Sequence, residues 1–140
     1  MNAITPHIVL LETAAVLQFS VAVLNLFLVR LLKWRDELAR MPLLLREVFQ
    51  IHVWFISITL TIFAVVTWRF ASLMASGGDP VCQWLAAGIG LFWAIRTVLQ
   101  VAHYSSSHWR GQTGRTVIHC VLLFGYGGFA LVYLWSAFGT

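Results

Sequence analysis

Residues 81–103 read VCQWLAAGIGLFWAIRTVLQVAH, a mostly apolar run in which Arg96 is the single residue with a permanent charge. A bilayer core is crossed by about 20 mostly apolar residues. A helix is the favoured form because it satisfies every backbone amide within its own segment. The stretch therefore predicts a transmembrane helix that carries an arginine within its span.

Three further stretches have the same character, at residues 8–29, 47–68 and 116–138. Apolar residues make up 60% of the chain and charged residues only 10%, and the mean hydropathy is +0.84. These values lie far from those of soluble domains. The sequence predicts an all-α membrane protein in which residues 1–140 form one domain, an up-down bundle of four transmembrane helices.

The positions of the charges predict the orientation of the helices. Basic residues concentrate in two of the connections, whereas the connection between the second and third stretches has Arg69, near Asp79. The residues of the two basic loops are Arg30, Lys33, Arg35, Arg40, Arg46, Arg110 and Arg115. Because basic loops stay in the cytoplasm, both termini are expected outside. We expect a multi-pass protein of the inner (cytoplasmic) membrane that contacts lipid and does not bind nucleic acid.

Local signals predict where the helices begin and end. Residues 31–38 keep helical amphipathicity without a breaker before Pro42, so the first helix is expected to continue past the membrane surface. The second helix is expected to begin near Pro42, which would extend the first two helices slightly into the cytoplasm. Asp79 and Pro80 predict a capped start for the third helix.

Trp93, Arg96, Gln100 and His103 share one face of the third helix because they follow helical spacing. On membrane-insertion scales, a charge at the depth of Arg96 costs about 2.5–3.5 kcal/mol. Side chains tilt toward the N-terminus of their helix, here away from the cytoplasm, so snorkelling to the nearer surface is hindered. This favours a buried partner or a bound ligand for Arg96 over simple snorkelling.

Two sets of small residues predict close approach of helices. Ala86, Gly90 and Ala94 recur at four-residue steps on the third helix, a pattern typical of tight contacts in lipid. Gly125 and Gly128 suggest the same for the fourth helix.

The second and fourth helices supply candidate partners for the arginine. Glu47 is the natural carboxylate partner of Arg96, and His52 matches its depth more closely. His119 and Tyr126 lie on one stripe of the fourth helix because they are seven residues apart. His52 and His119 lie at similar depth, an arrangement that can hold haem b, another metal or a quinone, although interface histidines are commonly structural.

Three functions follow from these patterns. The leading hypothesis is a structural or binding subunit of a homo-oligomer or larger membrane complex, with a polar cytoplasmic-side pocket inside the membrane. The first alternative is a redox subunit that binds haem b or a quinone. The second is a small enzyme or transporter for a lipid-like or anionic substrate. The candidate ligand-binding residues are Arg96, Gln100, His52, His119, His103, Glu47, Trp93 and Tyr126, of which His52 and His119 are also candidate metal ligands.

Overall fold

The computed structural model describes residues 4–103 and 113–139, and over these ranges it contains helices and no strand. Four of the helices are long and apolar enough to cross a membrane. The predicted stretches at 8–29, 47–68, 81–103 and 116–138 lie within them, so an all-helical protein with four candidate spans is confirmed. The helices are α1 Ile4–Leu31, α2 Arg35–Ala39, α3 Leu43–Ser76, α4 Pro80–His103 and α5 Thr113–Phe138.

The end of α1 differs from the sequence-based expectation. The helix ends at Leu31 instead of continuing to residue 38, and a separate short helix, α2, follows. Lys33 adopts a left-handed conformation with φ 56°. The Trp34 amide donates to the Val29 carbonyl at 3.1 Å and the Lys33 amide to the Arg30 carbonyl at 3.3 Å. This pair of bonds is a Schellman cap, which ends the helix although a lysine occupies the position usually taken by glycine.

The starts of α3 and α4 agree with the local signals. α3 begins at Leu43, directly after Pro42. α4 begins at Pro80, and the Asp79 carboxylate accepts hydrogen bonds from the backbone amides of Val81 at 2.8 Å and Cys82 at 3.0 Å. These bonds satisfy donors that have no partner within the helix. The predicted N-cap at Asp79 is confirmed.

The chain divides into two compact units, and each is described by itself. The first unit comprises Met1–Leu11 and Phe70–Thr140, and so contains α4, α5, the start of α1 and the end of α3. The second unit comprises Glu12–Arg69, with the rest of α1, α2 and most of α3. The organisation of residues 1–140 as a single domain stays a prediction.

In the first unit, α4 packs closely on α5 at Gly90. A Cβ at this position would lie 2.9 Å from Cγ of Leu134 and 3.1 Å from its backbone nitrogen. Ala86 is buried and Ala94 half-buried. The predicted close contact along this stripe is thus confirmed at Gly90. At Gly125 and Gly128 a Cβ would meet nothing within 4 Å, so the expected tight packing at these two glycines is wrong within the described chain.

Polar and aromatic contacts join the C-terminal end of α5 to α1 and α3 in the first unit. The His7 ring stacks on Trp135 with centroids 4.8 Å apart. The Ser136 hydroxyl donates to the Met74 carbonyl at 2.9 Å, and Ser136 is fully buried. These contacts connect α5 with the first turns of α1 and the last turns of α3.

In the second unit, a hydrogen-bonded amide joins α1 to α3. The Asn25 side chain donates to the Val53 carbonyl at 3.1 Å and to the Ser57 hydroxyl at 2.9 Å. Such bonds between membrane helices contribute about 0.6 kcal/mol on average.

The exposed faces of the long helices are apolar, as contact with a lipid bilayer requires. Trp68, Trp84 and Trp135 are more than half exposed and lie toward helix ends, where indole rings favour the headgroup level. The exposed apolar side chains include Val16, Phe19, Phe27, Ile51, Phe55, Ile62, Val98, Val121, Phe124 and Leu131.

Candidate functional site

Five of the predicted site residues come together in the first unit, on facing sides of α4 and α5. Trp93 and Gln100 are buried on α4, and Arg96 between them is half-buried. Tyr126 is buried on α5, and His119 is half-buried two turns earlier. We call these five residues the polar cluster. Helical periodicity placed them on two stripes, and the packing of α4 on α5 brings the stripes into contact.

An aromatic stack forms the base of the polar cluster. The Trp93 ring lies 5.1 Å from the Tyr126 ring and 4.7 Å from the Phe129 ring, measured between centroids. The guanidinium carbon of Arg96 lies 5.0 Å from the centre of the Tyr126 ring. A cation over an aromatic face is stabilised by about 0.5–2 kcal/mol, more when it is desolvated. The stack therefore accounts for part of the stabilisation that the sequence analysis required for Arg96.

A hydrogen bond links the two helices beside the arginine. The Gln100 side-chain nitrogen and Nδ1 of His119 form a hydrogen bond of 3.0 Å. The other half of the amide, the Gln100 Oε1 atom, is buried and has no hydrogen-bond partner among residues 4–103 and 113–139. A buried polar atom without a partner costs about 1–3 kcal/mol. Within the part of the chain that the structure describes, Gln100 therefore presents an unused acceptor one helical turn after Arg96.

The same hydrogen bond involves the Nδ1 atom of His119, whose role depends on the tautomer of the ring. In the tautomer with its hydrogen on Nε2, Nδ1 accepts from the amide and Nε2 is a hydrogen-bond donor. In the tautomer with its hydrogen on Nδ1, Nε2 has the lone pair that a metal ion or haem iron would bind.

The remaining predicted residues lie elsewhere. Glu47 and His52 are on α3 in the second unit, and both side chains are exposed. Their pairing with Arg96 or His119 stays a prediction. The side chain of His103, at the end of α4, lies outside the described residues. Within residues 4–103 and 113–139, no group of three or more histidine, cysteine or acidic side chains could hold a metal ion.

The sequence analysis did not identify two features that bear on function, an aromatic residue of the stack and a groove in the second unit. Phe129 completes the aromatic stack, and its position three residues after Tyr126 on α5 was a usable signal. The second unit has a groove lined by Arg30 and Arg35 beside apolar side chains. This groove depends on the chain reversal at Lys33, which the amphipathic pattern of residues 31–38 did not reveal.

No family model, no curated protein and no solved structure matches this chain. The functional assignment therefore rests on the residues and their geometry. The polar cluster combines a cation at Arg96, an imidazole at His119 and an acceptor at Gln100 with the aromatic rings of Trp93 and Tyr126. These groups have the chemistry to donate hydrogen bonds to an oxygen-bearing group and to accept one from it.

Proposed function

We propose that this multi-pass membrane protein is a binding subunit of a homo-oligomer or larger membrane complex, and that the polar cluster holds the partner. The observation that carries the proposal is the buried Oε1 atom of Gln100, which is unpaired among the described residues, on the same face of α4 as Arg96. Native proteins seldom leave such an atom without a partner, and an exception calls for a functional explanation. A group supplied by the partner would satisfy the acceptor.

The chemistry of the cluster limits what that partner group is. Gln100 Oε1 needs a hydroxyl or N–H donor, whereas Arg96 needs an acceptor oxygen or an anion. A serine, threonine or tyrosine hydroxyl, or a protonated carboxyl group, of a neighbouring membrane helix meets both needs. Inside a membrane such a contact contributes about 0.6–2 kcal/mol, and several copies of it specify one assembly.

Quinone binding is the second candidate, because a quinone-quinol pair offers the same two kinds of group. Its oxygen accepts from Arg96 or His119 as a carbonyl and donates to Gln100 as a hydroxyl. The Trp93 and Tyr126 rings provide an aromatic neighbour for its head group. No particular contact of the polar cluster favours haem b. No particular contact favours a small enzyme or transporter.

The test removes both partners of the linking hydrogen bond at once. Gln100→Leu/His119→Phe exchanges both partners of this bond for apolar groups, so folding should stay close to that of the wild type, because such an exchange is nearly neutral. Binding should weaken, with a rise of about tenfold in the apparent dissociation constant of the assembly, which corresponds to roughly 1.4 kcal/mol. Light scattering coupled to size-exclusion chromatography in detergent reports the assembly, and circular dichroism reports thermal unfolding.

Cys120→Ala is the matched control, since Cys120 neighbours His119 but is exposed. It should assemble as the wild type does. Organic extraction for quinones, with absorption spectra of the oxidised and dithionite-reduced protein, separates the redox candidates from a protein partner. A wild type that is monomeric and free of extractable ligand contradicts the proposal, as does a double variant that assembles normally.

We also propose that the loops rich in arginine and lysine face the cytoplasm and that both termini lie outside. The support is the charge asymmetry between Arg69 alone in one connection and the basic clusters in the other two. The inner (cytoplasmic) membrane is the proposed location, because the charge rule concerns loops that stay in the cytoplasm.

Cysteine labelling tests the orientation. In a Cys82→Ser/Cys120→Ser background, single cysteines replace Gly78 or Ser106, the latter outside the described residues. An impermeant maleimide added to intact cells should label the cysteine at position 78, and the one at position 106 only after permeabilisation. The reverse pattern would show that the orientation is inverted.

A further inference from the structure

A groove of about 560 Å³ lies in the second unit, where α1 ends and α3 begins, with α2 alongside. Its lining includes Arg30 from α1, Arg35 from α2, and the apolar side chains of Phe27, Phe49 and Trp54. None of these residues belongs to the polar cluster. The groove therefore offers a second site that the proposed function does not use.

The backbone turn at Lys33 creates the basic end of this groove. The Schellman cap ends α1, and the left-handed conformation of Lys33 reverses the chain so that Arg35 and Leu38 of α2 line the groove. A left-handed conformation is unfavourable for a residue other than glycine. A continuous α1 would carry residues 35–38 away from α3 instead.

The charges of the groove are of one sign. Arg30 and Arg35 line it, and no carboxylate does so among the described residues. The nearby acidic residues Asp36 and Glu37 are exposed outside it. Two guanidinium groups from different helices are a typical recognition set for a phosphate group.

The depth of the groove matches a lipid. Arg30 directly follows the apolar run 8–29, which places it at the level where hydrocarbon gives way to headgroups. On α1, Phe27 lies one helical turn deeper in the span than Arg30. On α3, Trp54 lies two turns deeper than Glu47. A lipid presents a phosphate next to an acyl chain, in the same order as the basic and apolar parts of the groove. A free phosphate ion would make no use of the apolar wall.

We infer that this groove binds an anionic phospholipid, with its phosphate between Arg30 and Arg35 and an acyl chain against Phe27 and Trp54. The inference goes beyond the proposed function and concerns a different unit of the chain. It does not depend on which side of the membrane the basic loops face. Basic residues near an anionic lipid surface attract such lipids.

The test compares two double variants with equal loss of charge. Arg30→Gln/Arg35→Gln changes the groove, whereas Arg40→Gln/Arg46→Gln removes two arginines of the same loop that do not line it. Each protein is reconstituted in nanodiscs that contain phosphatidylcholine and phosphatidylglycerol. Native mass spectrometry then gives the ratio of the two lipids retained. Circular dichroism verifies that both variants fold.

The groove variant should lower the retained ratio of phosphatidylglycerol to phosphatidylcholine by about tenfold, and the control by less than about threefold. Equal losses would mean diffuse surface attraction and would overturn the inference. Trp54→Ala should also reduce retention, because the acyl chain loses its apolar contact. Added inorganic phosphate should leave the retained lipid unchanged. Displacement by phosphate would indicate a site for free anions and would likewise overturn the inference.

Discussion

Trp93→Ala is expected to lower the free energy of unfolding by about 3 kcal/mol, the lower end of the range for tryptophan truncation in protein cores. Trp93 is only 2% exposed, and its ring packs on Tyr126 and Phe129. We expect the lower end of that range because exposing apolar surface to lipid costs little free energy. The expected loss of stability therefore comes mainly from the lost packing contacts of the ring. Thermal or SDS-induced unfolding followed by circular dichroism measures the change.

Trp84→Ala is the matched control because Trp84 lies on the same helix and is 76% exposed. Its loss should change stability by less than about 0.5 kcal/mol. Trp93→Phe separates packing from recognition, since it keeps an aromatic ring in the stack. If Trp93→Phe folds normally but loses assembly or quinone binding, Trp93 contacts the partner. If Trp93→Ala is as stable as the wild type, the aromatic stack does not stabilise the α4–α5 contact.

Gly90→Leu is expected to destabilise the α4–α5 contact by about 3 kcal/mol, at the upper end for overpacked positions. Even the first carbon of a side chain at Gly90 would lie 2.9 Å from Cγ of Leu134. The Leu134 side chain can rotate, but its backbone nitrogen lies 3.1 Å from the same point and can move only with α5. The measurement is thermal unfolding in detergent.

Gly88→Leu provides the control, because a Cβ at Gly88 meets nothing within 4 Å and the residue is exposed. It should unfold close to the wild-type temperature. In Gly90→Ala/Leu134→Ala the smaller side chain should restore only part of the stability lost in Gly90→Ala, because the backbone contact remains. Equal melting temperatures for Gly90→Leu and Gly88→Leu would show that α4 and α5 do not approach closely at Gly90.

The proposed roles of the polar cluster and of the groove draw on different properties of arginine. Arg96 is half-buried over an aromatic ring, within a span, and is proposed to bind one defined oxygen-bearing group. Arg30 and Arg35 are exposed at the end of a span, and are proposed to bind lipid phosphate. Arg96→Lys should therefore weaken assembly, since lysine lacks the planar fork. Because lysine keeps the charge, the same exchange at Arg30 should weaken lipid retention much less.

The sequence by itself determined the four helices and their shared faces. Each span is helical because its backbone groups must be satisfied without water, a requirement that depends only on local composition. The start of α4 is equally local, since Asp79 caps amides that lie two and three residues away. The grouping of Trp93, Arg96 and Gln100 on one face follows from the helical period alone.

Only the tertiary structure decided which of these faces meet and how each helix is interrupted. Residue spacing fixes the depth of a side chain, but it does not fix how a helix is rotated about its axis or which helix packs against it. The contacts of Gln100 with His119 and of Arg96 with the Tyr126 ring could therefore not be derived from spacing. The break at Lys33 was hidden because an amphipathic pattern is the same for one helix or two. The Schellman cap decides between them, and it uses a lysine at a position where the sequence signal would be glycine.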